Sequence, residues 1–201
     1  MKILSIILLS AILIGGIVYK FFLPTEQPLV TTLVYPKAKL LPNFNLIDHN
    51  AKSFTHQQLK GKWSVVFFGF TYCPDVCPTT MAALSQIANK LPPEIMKQLQ
   101  FVFVSVDPER DTPERLAQYI PFYHADFIAL TGDDKQLQEF SLSLGAVYMK
   151  VPTDESYTMS HSSRLFIIDP KGQRYGIFSK SDSGAINIVS ITQDLETIIN
   201  Q

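Results

Sequence analysis

One stretch constrains the fold more than any other: WSVVFFGF, residues 63–70, in which Ser64 is the only polar side chain. A run of strand length with no charge and no alternation reads as a strand buried on both faces, the state of an interior strand in a helix-covered sheet. FVFVSV (101–106) and FIALTG (127–132) read the same way. The segments between them switch to helical spacing. TTMAALSQIANKL places Met81, Leu84, Ile87, Ala88 and Leu91 on one side. TPERLAQYI opens with Thr112 as N-cap and Pro113 at the first helical position, where a missing N–H costs nothing. DKQLQEFSLSLG is a helix ended by Gly145. Strands and helices in this order predict an α/β domain with a mixed central sheet flanked by helices.

The flanks complete the pattern. NFNLIDHNAKSFT reads as an N-terminal β-hairpin turning at Asp48, His49 and Asn50. RLFIIDPKGQRYGIFS is a second hairpin, turning at residues 169–172. INIVSITQDLETII is a closing helix. No internal repeat or low-complexity tract is present. A chain of 201 residues, 46% hydrophobic and 17% charged, suits one domain plus an apolar extra segment. We place that domain at residues 40–201, behind a Pro- and Thr-rich linker over residues 24–39.

Residues 1–23 are the apolar extra. From Ile3 to Tyr19 run 17 uncharged residues, and past Lys20 the apolar stretch continues to Leu23. About 17–25 residues cross the hydrocarbon core, so one N-terminal transmembrane helix is expected, with Lys20 reaching back to the interface. No A-x-A-like site follows the run and no Cys stands there for lipid attachment. That favours an uncleaved anchor in the lipid bilayer over a signal peptide. Either reading sets the domain outside the cytosol, and the expectation is a single-pass inner-membrane protein facing the periplasm. Lys plus Arg is 17 and Asp plus Glu is 18, a net charge of −1. No basic field exists to hold nucleic acid by counterion release.

Both cysteines of the chain lie in FGFTYCPDVCPTTM, directly after the first buried strand. In open α/β sheets that carboxyl edge is where ligands and reactive groups collect. The spacing is C-x-x-x-C, one residue longer than that of dithiol redox motifs. Pro74 and Pro78 resist a continuous helix from Cys73, so the helix is expected to begin at Pro78 with Cys77 near its N-cap. The helix N-terminus then favours thiolate. Thiolate serves a nucleophile and a metal ligand equally, and an oxidising compartment favours a structural disulfide. Three chemistries stay open on this evidence.

A third ligand would separate them, because a Cys2His set suits copper in either oxidation state. His49 lies in a turn and is expected to be exposed and idle. His56 and His124 flank helices, as surface or capping residues. His161 differs, standing just before the strand that opens RLFII. Met81 fits the apolar helix stripe. Met149 and Met159 are thioether candidates with little signal of their own.

FGFTYCPDVCPTTM, VSVDPERDTPERLAQY, and His161 some 84 residues after Cys77 and ahead of LFIIDPKG together resemble the Sco/SenC family. Those are membrane-anchored, thioredoxin-fold copper chaperones for assembly of cytochrome c oxidase. The resemblance covers roughly residues 40–200. It implies that Cys73, Cys77 and His161 bind copper, as Cu(I) and Cu(II), with Asp107, Arg110 and Asp111 supporting the edge of the site. Where the family often has an acidic residue before the ligand histidine, this chain has Ser160. The implied acceptor is the dinuclear copper site of cytochrome c oxidase subunit II, served by an upstream copper donor and a thiol reductant.

Two thiolates and one imidazole form a trigonal site, and only reduced thiols load. Transfer needs no chemical change in a substrate. The rival is a thiol–disulfide oxidoreductase acting through Cys73 and Cys77 on oxidase-subunit or other exported cysteines, with a peroxiredoxin-like variant echoed in Thr71-Tyr72-Cys73. A structural disulfide is the last reading. So short a bridged loop would contribute only about 2 kcal/mol.

Overall fold

The structure, a computed structural model, describes residues 28–179 and 185–200. The expected anchor at 1–23 lies outside the described residues, and among those described no helix is long and apolar enough to cross a membrane. At the centre are β4 (Trp63–Gly69) and β5 (Leu99–Ser105), paired in parallel register with Phe67 opposite Phe103. Residues 65–68 are at most 1% exposed, as the unbroken apolar run requires. Each large side chain fully buried here contributes about 1.5–3 kcal/mol, so this pair anchors the sheet.

Around it the chain adds β1 (Thr32–Leu40), β2 (Asn45–Asp48), β3 (Ser53–Thr55), β6 (Ile128–Thr131), β9 (Leu165–Ile168) and β10 (Gln173–Phe178). The strand order is β1-β10-β9-β4-β5-β6-β2-β3, with β4, β5 and β6 parallel and the rest antiparallel. The mixed sheet and the β2–β3 hairpin are as expected. The linker is not, from residue 32 onward. Its Pro and Thr content suggested irregular chain, yet Thr32–Leu40 pairs with β10 across a shift in register. At the edge of a sheet an interior Pro is tolerated, and Pro36 falls inside that shift.

The helices are α1 (His56–Leu59), α2 (Val76–Lys90), α3 (Pro93–Met96), α4 (Pro113–Tyr119), α5 (Asp134–Leu144) and α6 (Ile188–Ile199). Thr112 caps α4 by accepting from the Arg115 N–H, and Gly145 ends α5 with φ of 84°. That left-handed backbone suits glycine. α2 packs along α6, whose buried Asp194 accepts from the backbone of Val30, Thr31 and Thr32 and from both threonine hydroxyls. Burial raises that carboxyl, but the five donors outweigh it and hold it below its ordinary range. The start of β1 is thereby tied to the last helix.

One element is absent from the sequence expectations. β7 (Tyr148–Pro152) and β8 (Tyr157–His161) form a separate two-stranded antiparallel sheet, with Tyr148 opposite His161. β7 is largely exposed and β8 mostly half-buried, with only Met159 buried, so no apolar run marked them.

Candidate metal centre

The cysteines enter the site from the end of β4. α2 begins at Val76, with Asp75 as N-cap, two residues earlier than expected. Pro78 therefore sits within the first turn, where the first four N–H groups lack helical partners in any case. Asp75 makes no side-chain cap bond. Instead the Cys77 N–H donates to the Cys73 sulfur at 3.4 Å, so the first thiol takes the role of a cap acceptor. The Cys73 N–H donates to the Phe70 carbonyl at 3.2 Å, which closes the turn.

Cys77 is fully buried and Cys73 half-buried, and both thiols are free. Gly69 makes room for the inner one. A Cβ there would lie 3.0 Å from the Cys77 sulfur and 2.8 Å from the Phe103 ring. Burial pushes the Cys77 thiol well up, with neighbouring Cys73 and Asp111 adding to the rise against a lowering backbone bond at Phe70. The helix N-terminus was expected to favour thiolate. Desolvation wins at Cys77, because taking charge out of water costs more than a partial dipole returns.

The third group arrives from the far end of the fold. His161, the last residue of β8, brings Nε2 to 3.5 Å from the Cys77 sulfur. Its Nδ1 lies 3.2 Å from the Ser162 carbonyl. A carbonyl can only accept, so Nδ1 carries the proton of that bond and Nε2 keeps its lone pair toward the thiols. This backbone contact does for the imidazole what an acidic neighbour would do, and Ser160 itself is exposed. The rings of Phe67 and Phe70 meet the imidazole edge-on at 6.0 and 5.9 Å.

The donor atoms of Cys73, Cys77 and His161 all lie within 4.8 Å of one another. Bond lengths of about 2.0–2.3 Å to nitrogen and sulfur place donors of one ion roughly 3.5–4 Å apart, so a small contraction suffices. Two soft sulfurs and one imidazole fit Cu(I), Cu(II) or Zn far better than hard oxygen-seeking cations.

The VDPERD segment braces the edge. Asp111 is fully buried and accepts from the Thr71 N–H at 2.9 Å, the Thr71 hydroxyl at 2.6 Å and the Ser105 hydroxyl at 2.6 Å. It fixes the chain two residues before Cys73. Asp107, also buried, pairs with Arg110 and accepts from the Tyr157 hydroxyl at 2.9 Å. Burial, then that bond to Asp107, pushes the Tyr157 phenol up to about 12, so it remains a donor. Asp107, Arg110 and Asp111 thus lie beside the cysteine loop and bond to its neighbours.

The remaining candidates lie elsewhere. His49 is half-buried rather than exposed, and its Nδ1 accepts from the Ala129 N–H at 3.2 Å. His56 bonds the Gly172 carbonyl, and His124 accepts from the Asp126 N–H and stacks on Phe127. Met81 is core, Met159 is buried on β8, and Met149 is 63% exposed. Sequence reasoning passed over Gly69 and Tyr157, and it noted Thr71 and Tyr72 only as the echo of a peroxidase motif. The alternation in YTMSH, which puts Tyr157, Met159 and His161 on one face of a strand, was the available signal.

A mixed, thioredoxin-like α/β sheet with a sulfur–sulfur–nitrogen triad at its carboxyl edge defines a class of domain with a candidate soft-metal centre. The family model described as SCO1/SenC matches residues 34–199, and the chain belongs to that family. An SCO2-like protein of Rickettsia prowazekii is 37% identical over 184 residues, covering 86% of this chain and 87% of that one. The structure of Bradyrhizobium japonicum ScoI with copper bound is similar at a TM-score of 0.70 and 32% identity, over 79% of this chain and 98% of that one. BsSco, a member of the Sco family of cytochrome c oxidase assembly proteins in which a disulfide switch is identified, is similar at 0.65 and 25%, over 84% and 98%.

Proposed function

We propose that this chain is a copper chaperone that holds Cu(I) or Cu(II) on the sulfurs of Cys73 and Cys77 and on Nε2 of His161. The observation that carries the proposal is the convergence of those three donors within 4.8 Å, from segments 84 residues apart in sequence. Cys73 and His161 are half-buried and Cys77 is buried, so an incoming thiol reaches the ion from the side of Cys73 and His161 and displaces ligands one at a time. The acceptor in this reading is the dinuclear copper site of cytochrome c oxidase subunit II, as the description of BsSco as an oxidase assembly protein supports. A copper donor loads the site, and a thiol reductant keeps it able to bind. Residues 1–23 anchor the domain in the inner membrane, with residues 40–201 on the periplasmic side.

The test is an anaerobic copper titration of the reduced, metal-free protein beside His161→Ala. One tight equivalent, with a sulfur-to-copper charge-transfer band on addition of Cu(II) that is lost in the variant, is expected. Weak binding that is unchanged in the variant would overturn the reading.

A second reading has its own observation. The Cys77 N–H already touches the Cys73 sulfur and both thiols are free, so disulfide exchange on oxidase-subunit or other exported cysteines is chemically open to this pair. It predicts reductase activity that survives His161→Ala.

A further inference from the structure

Three segments of chain meet at Arg110. Its guanidinium pairs with the buried Asp107 carboxylate in its own loop. It lies 4.8 Å over the ring of Tyr72, the residue before Cys73. It also lies 3.9 Å over the ring of Tyr157 on β8, and Nη1 donates to the Tyr157 carbonyl at 3.2 Å. Tyr157 completes the circuit through its hydroxyl bond to Asp107. Nη2 is buried without a hydrogen-bond partner, a cost that a guanidinium enclosed by aromatic faces offsets by cation–π attraction.

The mechanical consequence concerns the hairpin. A two-stranded ribbon is marginal on its own and is free to roll about its axis unless both ends are fixed. The base of this ribbon is closed by the Ser162 N–H to the Val147 carbonyl at 2.9 Å and tied to the domain by the Tyr148 hydroxyl, which donates to the Asp134 carboxylate at 2.8 Å, with Met159 of β8 buried against the core. The tip, at Tyr157, is gripped by Arg110. Tyr157 and His161 share one face of β8, so gripping one sets the direction of the other. Through Tyr72 the same guanidinium references that direction to the cysteine loop.

We propose that Arg110 is a positioning residue for His161: stacked between Tyr72 and Tyr157 and paired with Asp107, it stops the hairpin rolling and holds the imidazole toward the thiols. The inference rests on the copper reading above and deepens it. Two thiolates alone suit Cu(I), whereas Cu(II) draws more on the imidazole. Loosening the hairpin therefore weakens the Cu(II) site selectively.

Arg110→Ala would leave the buried Asp107 carboxylate unpaired, so the test uses Arg110→Lys, which keeps a cation, and Tyr157→Leu, which leaves the Arg110–Asp107 pair intact. Each is titrated in the full, reduced chain with Cu(I) against a competing chelator and with Cu(II), beside the parent, His161→Ala and the Arg110→Lys/His161→Ala double variant. Expected is a Cu(II) affinity about 10–100-fold below the parent, the scale found when an outer contact to a metal-bound histidine is lost, with an altered charge-transfer band. Cu(I) affinity should change far less. Arg110→Lys should add nothing once His161 is gone, the non-additivity of groups acting through one another. Parent-like Cu(II) affinity and spectrum in both variants would overturn the inference and leave the copper reading standing. A parallel loss of Cu(I) and Cu(II) binding, or an undiminished effect of Arg110→Lys in the His161→Ala background, would also overturn it. A parent that binds neither ion overturns the copper reading, and the inference with it.

Discussion

The cysteine edge and the histidine hairpin deliver their ligands from opposite kinds of structure. Cys73 and Cys77 leave β4, whose residues 65–68 are buried in the middle of an eight-stranded sheet. The turn that carries them is fixed by Asp111, a carboxylate with three donors and no exposure. His161 ends a ribbon that belongs to no larger sheet and is exposed along much of its length. Its position depends on a few side chains: Arg110 with Tyr157 at the tip, and Tyr148 on Asp134 with buried Met159 nearer the base. One half of the site inherits rigidity from the core, and the other is held by local polar and aromatic contacts. The half with fewer supports is the one best able to yield when a copper ion is handed on.

Four changes would break or sharpen that contrast. Asp111→Ala should have the largest effect on folding, about 3–4 kcal/mol, because buried donors left unsatisfied cost about 1–3 kcal/mol each. Denaturant unfolding measures it, and a loss below 1 kcal/mol would show that the cysteine edge does not depend on this carboxylate. Gly69→Ala puts a methyl group against Phe103 and the Cys77 sulfur, overpacking worth about 1–3 kcal/mol. The melting temperature should fall, and copper affinity with it, since the thiol has no room to retreat.

Asp194→Asn is the control on the sheet side. It should cost about 1–2 kcal/mol at neutral pH while leaving the copper spectrum unchanged, because Asp194 ties β1 to α6 and does not touch the hairpin. The pH dependence has a definite sign. Asp194 is lowered in the folded state, so its contribution is present above the ordinary carboxylate value of 3.8 and is lost as pH falls through the lowered folded value. The parent and variant should converge in stability in that acid window. Divergence there would contradict the linkage. The smallest effect belongs to Lys150→Ala, which removes the exposed pair between Lys150 on β7 and Glu109 of the VDPERD loop. Solvent screens so exposed a pair, and no resolvable change in thermal unfolding is expected; a clear loss would mean that surface charge, rather than Arg110, secures the ribbon.

The residues differ in how plainly their sequence announced these roles. WSVVFFGF, FVFVSV and FIALTG declared the interior strands, because burial on both faces demands an unbroken apolar run. Thr112, Pro113 and Gly145 marked helix ends, since capping is local chemistry. The C-x-x-x-C pair was visible as a site from its place after β4. His161 was singled out by its setting before a strand and by a family pattern. The β7–β8 ribbon was illegible, because an exposed two-stranded element leaves only a weak alternation. β1 was hidden for a related reason: an edge strand tolerates Pro36 and exposed polar residues that elsewhere mean a linker.

The sequence by itself determined the α/β order, the interior strands, the two thiols at the carboxyl edge and the family to which the chain belongs. Tertiary structure alone decided that a residue 84 positions after Cys77 would bring its Nε2 to 3.5 Å from that sulfur. It also decided that Ser162, not an acidic neighbour, would orient that imidazole, and that Arg110 would stand between two tyrosines from different segments. The division has a physical cause. Burial and capping act between residues near in sequence or along one face, whereas the meeting of the cysteine loop, the VDPERD loop and the β7–β8 ribbon depends on how separate elements pack.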